Sequence, residues 1–154
     1  SGVTHNPKKG ATWLDSDLKA ILIDKAEEIF NHIDRGLDYI AIDEAQFFDH
    51  TIVEVCRKLA DQGYKVICAG LDLDFRGEPF DPMPELIAAS HSSIRLYAKC
   101  ACCGKPATRT QRLVDGQPAH ADDPLIVVSG SEMYEPVVSV VTKSGDFDNP
   151  TRLK

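Results

Sequence analysis

The chain has 154 residues, a hydrophobic content of 43 % and a formal net charge of −7. That is enough apolar material for one domain with a core of its own. The acidic balance argues against a surface devoted to nucleic acid or anionic lipid, so neither nucleic acid nor membrane is an expected partner. It leaves room for a small anionic ligand held locally by backbone amides and a few arginines.

No run reaches the roughly eighteen uninterrupted apolar residues of a membrane helix. With no secretion signal read, the expected setting is the reduced cytoplasm. Of the five cysteines, Cys56 and Cys68 sit in apolar runs and read as reduced core residues. Cys100, Cys102 and Cys103 crowd into one turn.

Asp17 to Arg35 predicts an amphipathic helix, because Leu18, Leu22, Ala26, Ile29 and Ile33 recur at spacings of four and three. Asp15 or Ser16 could cap its start, and Gly36 could end it. Leu37 to Ile42 predicts a strand buried on both faces. Asp49 to Gln62 is helical in period and stops at Gly63, and Lys65 to Leu71 is a second apolar strand. A strand, a helix and a strand over this length make a crossover unit, so these strands should be parallel and the class α/β. A helix over Pro84 to His91 should precede a third strand at Ile94 to Lys99.

From Cys100 to Asp123 the sequence turns rich in Cys, Gly, Pro, Arg and Thr, with a hairpin signal at Asp115-Gly116. This reads as a small β-rich lobe carrying the Cys cluster and a loop, spanning 100–143 after a core over 1–99. Val137 to Thr142 reads as a strand, and 144–154 as a polar tail.

In an open parallel sheet, ligands bind beyond the carboxyl ends of the strands. Asp43 and Glu44 stand at such an end, and Asp72 and Asp74 stand at the next. An apolar strand ending in Asp-Glu is a Walker B pattern, in which the Asp serves Mg²⁺ and the next acid can take a proton. The plainer alternative is that the pair opens a loop and caps the following helix. Phe47 and Phe48 have an equally plain role as covers of the core.

Five segments carry a more specific signal: Ile42-Asp-Glu-Ala-Gln-Phe-Phe48, Ala69-Gly-Leu-Asp-Leu-Asp-Phe-Arg-Gly77, Cys100-Ala-Cys-Cys103, Arg109-Thr-Gln-Arg-Leu113 and Val127-Val-Ser-Gly-Ser-Glu-Met-Tyr-Glu-Pro136. Together, in this order, they resemble the type II, cellular cytosolic, thymidine kinases. The resemblance implies a parallel P-loop-NTPase-like sheet flanked by helices, and transfer of the ATP γ-phosphate to the 5′-hydroxyl of thymidine in nucleoside salvage. It implies Glu44 as general base and Asp43 as the organiser of Mg²⁺. Leu71, Phe75 and Phe47 would enclose the thymine, Val127, Val128, Ser129 and Gly130 would read its edge through their backbone, and Tyr134 would stack on it. Arg76, Arg109 and Arg112 are candidates for phosphate binding or loop ordering, with a solvated arginine as the plain alternative. Relatives of this kind resemble homotetramers.

Two departures qualify that resemblance. No Gly-Lys-Ser/Thr motif is present, and the nearest candidate, Asn6-Pro-Lys-Lys-Gly10, lacks the glycine spacing and a preceding strand. The chain reads as starting just after the family's first strand, P-loop and first helix. The family's structural zinc would use Cys100 and Cys103 as one pair, but Val138 and Val141 stand where the second pair belongs. Two alternatives to a kinase therefore stay open: a non-catalytic nucleoside-binding relative without the phosphate cradle, and a zinc-ribbon-like interaction module.

Overall fold

The computed structural model describes residues 2–5, 20–34, 36–124 and 133–138. The chain divides into two compact units, Ser1–Asp72 with Phe80–Ser93 and Leu73–Pro79 with Ile94–Lys154.

The first unit is built on a four-stranded sheet of β1 (Gly2–His5), β2 (Ala20–Ile23), β3 (Tyr39–Asp43) and β4 (Lys65–Cys68). The spatial order is β2-β1-β3-β4, and every neighbouring pair is parallel. Helix α1 (Thr51–Asp61) makes the crossover from β3 to β4, and α2 (Met83–Ala89) follows later in the chain. The crossover unit predicted from periodicity is therefore present, with both strands parallel.

Three expectations need correction here. Where one helix is predicted over 17–35, the described part forms β2 and then a 3-10 helix, Ala26–His32. The run Ala20-Ile-Leu-Ile23 is compact, apolar and β-branched, and pairing in register with Gly2–His5 gives its backbone a ladder that the helical period cannot rival. The helical stripe survives only in its second half, where Ala26 and Ile29 are buried. Second, β3 is not buried on both faces. Ile40 and Ile42 point into the core while Tyr39 and Ala41 are exposed. Third, a strand does precede Asn6: β1 lies between β2 and β3, although residues 6–10 are outside the described set.

The covered face of the sheet holds the core, in which Ile23, Ile29, Ile40, Ile42, Phe48, Ile52, Val53, Leu59, Met83 and Leu86 pack together. Each such side chain, fully buried, contributes about 1.5–3 kcal/mol. Phe48 thus has the covering role expected of it, and Cys56 and Cys68 pack at the margin of the same cluster. Gly63, at φ +92, ends α1 as predicted, with the Tyr64 N–H donating to the Leu59 carbonyl at 3.1 Å.

The start of α1 has its own anchor. Asp49 Oδ1 accepts the Thr51 N–H at 2.9 Å and also the Thr51 hydroxyl. The hydroxyl bond, then the amide bond, pull the Asp49 carboxyl below its ordinary value of 3.8. A carboxyl depressed in the folded state stabilises it above that ordinary value, and the contribution disappears as pH falls through the folded value. Asp49→Ala should cost about 0.5–1 kcal/mol at neutral pH, the low end for a cap because the group is exposed. Urea denaturation at pH 7 and pH 3 checks this: the difference between the two proteins should be present at the first pH and smaller at the second.

The second unit holds two small antiparallel sheets. Strands β5 (Ala98–Lys99) and β6 (Pro106–Ala107) flank the cysteine turn. Strands β7 (Arg109–Val114), β8 (Gln117–Pro118) and β9 (Met133–Val137) form the other, in the order β8-β7-β9. Asp115 and Gly116 both take positive φ, 50° and 73°, which is the turn that their sequence signals. The strand expected over Ile94 to Lys99 shrinks to two residues, and Ile94 and Leu96 are 84 % and 87 % exposed. It joins the cysteine hairpin and not the parallel sheet. Of the strand expected over 137–142, Val137 is the last residue of β9 and pairs with Arg109. Residues 139–142 lie outside the described set.

Candidate active site

Strand β3 delivers Asp43 to the carboxyl edge of the parallel sheet. There Asp43 Oδ1 accepts the Glu44 N–H at 2.9 Å. Glu44 itself sits in the left-handed region, φ 53 and ψ 40, and opens the 3-10 turn Ala45–Phe47. A side-chain-bearing residue in this conformation costs about 1 kcal/mol or more, so neighbouring contacts must hold it there.

Those contacts are visible. The Ala69 N–H donates to Ile42 O at 2.8 Å, and the Ala45 N–H donates to Ala69 O at 2.9 Å. The β3–β4 ladder thus runs on past both strand ends and pins the turn. Beneath it lies Gln46, a buried polar side chain used at both ends. Its Nε2 donates to Glu44 Oε2 at 2.5 Å, and its Oε1 accepts the Leu71 N–H at 3.1 Å. Glu44 is therefore oriented through Gln46 by the backbone that follows β4.

Gly70 makes this approach possible. A Cβ there would stand 2.6 Å from Gln46 Oε1, 3.0 Å from Met83 Sδ and 3.3 Å from the Ala45 nitrogen. Neither Gln46 nor Gly70 stands out in the sequence as part of the site. The available signal was a lone amide between Ala45 and two phenylalanines.

Among the other expected site residues of this unit, Leu71 is tied to Glu44 through Gln46 and leaves 44 % of its surface exposed. Phe47, in the same 3-10 turn, meets Phe80 edge-on with ring centroids 5.9 Å apart. The acid at 72 has a plain structural part, its carbonyl accepting the Phe80 N–H at 3.0 Å.

In the second unit, Phe75 is buried, and the guanidinium carbons of Arg76 and Arg112 each lie 5.2 Å from its ring centroid. Asp74, also buried, accepts the Arg76 and Glu78 N–H groups on Oδ1 at 2.8 and 3.0 Å, so it organises the 73–79 loop. Arg76 also reaches Asp123 O at 2.7 Å, and the Arg109 side chain runs so close to Gly77 that a Cβ would meet its Nε at 3.0 Å. All three arginines thus bear on this one loop, which favours their ordering role. Tyr134 lies in β9 opposite Arg112 in register and is half exposed. Val127, Val128, Ser129 and Gly130 lie outside the described residues.

The two candidate ion sites differ in fit. Asp43 and Glu44 offer adjacent, partly exposed carboxylates at one strand end, the hard oxygen donors that Mg²⁺ prefers. The zinc pair fits less well. Cys100 is well prepared in its turn: the Gly104 N–H donates to Cys100 O at 2.9 Å and the Cys100 N–H to Lys105 O at 2.8 Å. Its thiol is held down to about 7, chiefly by the Cys103 N–H. Yet it packs with Ala107, Val137 and Val138, and positions 138 and 141 are valines. Among the described residues no group of three or more potential metal ligands comes together. A structural zinc needs four donors, and this set does not supply them.

The sequence model of the thymidine kinase family matches residues 10–140. The chain belongs to the thymidine kinase family. That match spans the Asp43–Phe48 turn, Gly70 and the cysteine hairpin alike. Membership places the chain among the transferases that phosphorylate nucleosides, on a mixed α/β scaffold. Among the described residues, no helix is long and apolar enough to cross a membrane.

Proposed function

We propose that this thymidine kinase family member transfers the γ-phosphate of ATP to the 5′-hydroxyl of thymidine, giving dTMP, with Glu44 as general base. The observation that supports it most is the Glu44 carboxylate, fixed by Gln46 at the carboxyl edge of a parallel sheet inside a family match. A base that must take a proton from a hydroxyl needs a set direction more than an unusual affinity, and two hydrogen bonds through Gln46 give it one. Asp43, one residue earlier, would hold Mg²⁺, which neutralises phosphate charge when bound with ATP. Leu71, Phe47, Phe75, Tyr134 and the backbone of Val127 to Gly130 keep the nucleoside-binding assignments that the family resemblance gives them. The P-loop-like class of the sheet, a cytoplasmic setting and a homotetramer belong to the same reading.

Incubating the protein with thymidine, ATP and Mg²⁺ and identifying the product by mass spectrometry tests this. A nucleoside 5′-monophosphate is the expected result. Calorimetric binding of thymidine with no monophosphate formed would make the chain a nucleoside binder and overturn the kinase reading.

A further inference from the structure

Cys56 lies on α1 and Cys68 is the last residue of β4, so the two thiols face each other across the helix–sheet packing. Their sulfurs are 3.6 Å apart, and both residues are only partly buried. A disulfide needs a sulfur separation of about 2.05 Å, so closure asks for roughly 1.5 Å of approach, shared between χ1 rotation and a shift of the Cys68 backbone toward α1. Neither thiol has any part in the chemistry proposed above.

We propose that Cys56 and Cys68 are a reversible dithiol–disulfide pair, oxidised by a low-molecular-weight disulfide such as oxidised glutathione. Either thiol can attack first, since the hydrogen bond between them has no fixed donor, and the order with Cys68 leading serves for both. The Cys68 thiolate attacks one sulfur of oxidised glutathione, and one glutathione thiolate leaves. Cys56 then gives up its proton to water, and its sulfur attacks Cys68 Sγ in the mixed disulfide. The second glutathione thiolate departs. Two protein thiols are oxidised, one disulfide is reduced to two thiols, and the electrons balance.

The position of the pair gives the bond a consequence. The residue after Cys68 is Ala69, which is hydrogen-bonded to both Ile42 and Ala45, and Gly70 and Leu71 follow. Drawing Cys68 toward α1 therefore pulls on the backbone that orients Gln46 and Glu44. A reduced pair leaves that backbone as the structure shows it.

The full chain treated with oxidised glutathione in native buffer, then alkylated and digested, should yield one peptide pair linked through Cys56 and Cys68. That pair should be lighter by about 2 Da than its reduced parts and disappear with dithiothreitol. Cys56→Ser should lose the link and leave Cys68 as a glutathione mixed disulfide. If Cys56→Ser does not fold, the map of the unsubstituted chain decides alone. The proposal is overturned if Cys56 and Cys68 stay open to N-ethylmaleimide while thiols of the 100–103 turn are consumed. It is equally overturned if the link forms only in denaturant. The outcome stands whether or not the chain phosphorylates thymidine.

Discussion

Glu44→Gln should lower the rate of thymidine phosphorylation by about 10²–10⁴-fold, the usual worth of a positioned general base. The substitution keeps the length of the side chain and its capacity to bond Gln46, so the turn at φ 53 should persist. Thymidine affinity should then stay within about threefold, because only an interaction used in the transition state has been removed. Steady-state turnover beside calorimetry on the same protein separates the two. A variant that turns over like the unsubstituted protein removes the base assignment. A large loss of thymidine affinity would instead make Glu44 a binding group.

Gly70→Ala should have the second large effect, through strain. Its Cβ would stand 2.6 Å from Gln46 Oε1, so Gln46, the Ala45 backbone or Met83 must move. Overpacking of this kind costs about 1–3 kcal/mol. Any shift of Gln46 reaches Glu44 directly, and a displacement near 1 Å at a catalytic group can cost about 10²-fold in rate. Combining Gly70→Ala with Gln46→Ala tells strain from chemistry. Removing the amide opens the space, so stability in urea should recover in part, while the rate should stay low because nothing then orients Glu44. Full recovery of both would show that Gln46 only fills volume.

What the sequence alone revealed, and what it hid, follows from which interactions are local. The crossover of β3, α1 and β4 was legible because α1 carries a clean helical stripe and Gly63 has to take a positive φ at its end. The Asp115-Gly116 hairpin was legible for the same reason. Ala20–Ile23 was not, since what makes it a strand is β1, a partner eighteen residues away in register, as in Gly2↔Ala20. Ile94 to Lys99 looked like a strand by composition, yet only Ala98 and Lys99 find a partner. At the site, the two acids at the mouth of β3 could be read from an apolar run ending in Asp-Glu. Their support could not. Gln46 acts through the backbone after β4, and Gly70 matters through a contact with Gln46, so both depend on the parallel pairing of β3 with β4. Phe75 was singled out only through the family resemblance, while its arginine neighbours depend on the β7 register and the 73–79 loop.

Gly70 and Gln46 should matter to phosphorylation because they hold Glu44. A double-mutant cycle of Glu44→Gln and Gly70→Ala, read as thymidine phosphorylation rate, tests it most directly. If Gly70 acts through Glu44, the double variant should be no slower than Glu44→Gln by itself, within about a factor of two. Rate losses that multiply in the double variant would mean that Gly70 acts on the reaction by a route that does not pass through the Glu44 carboxylate.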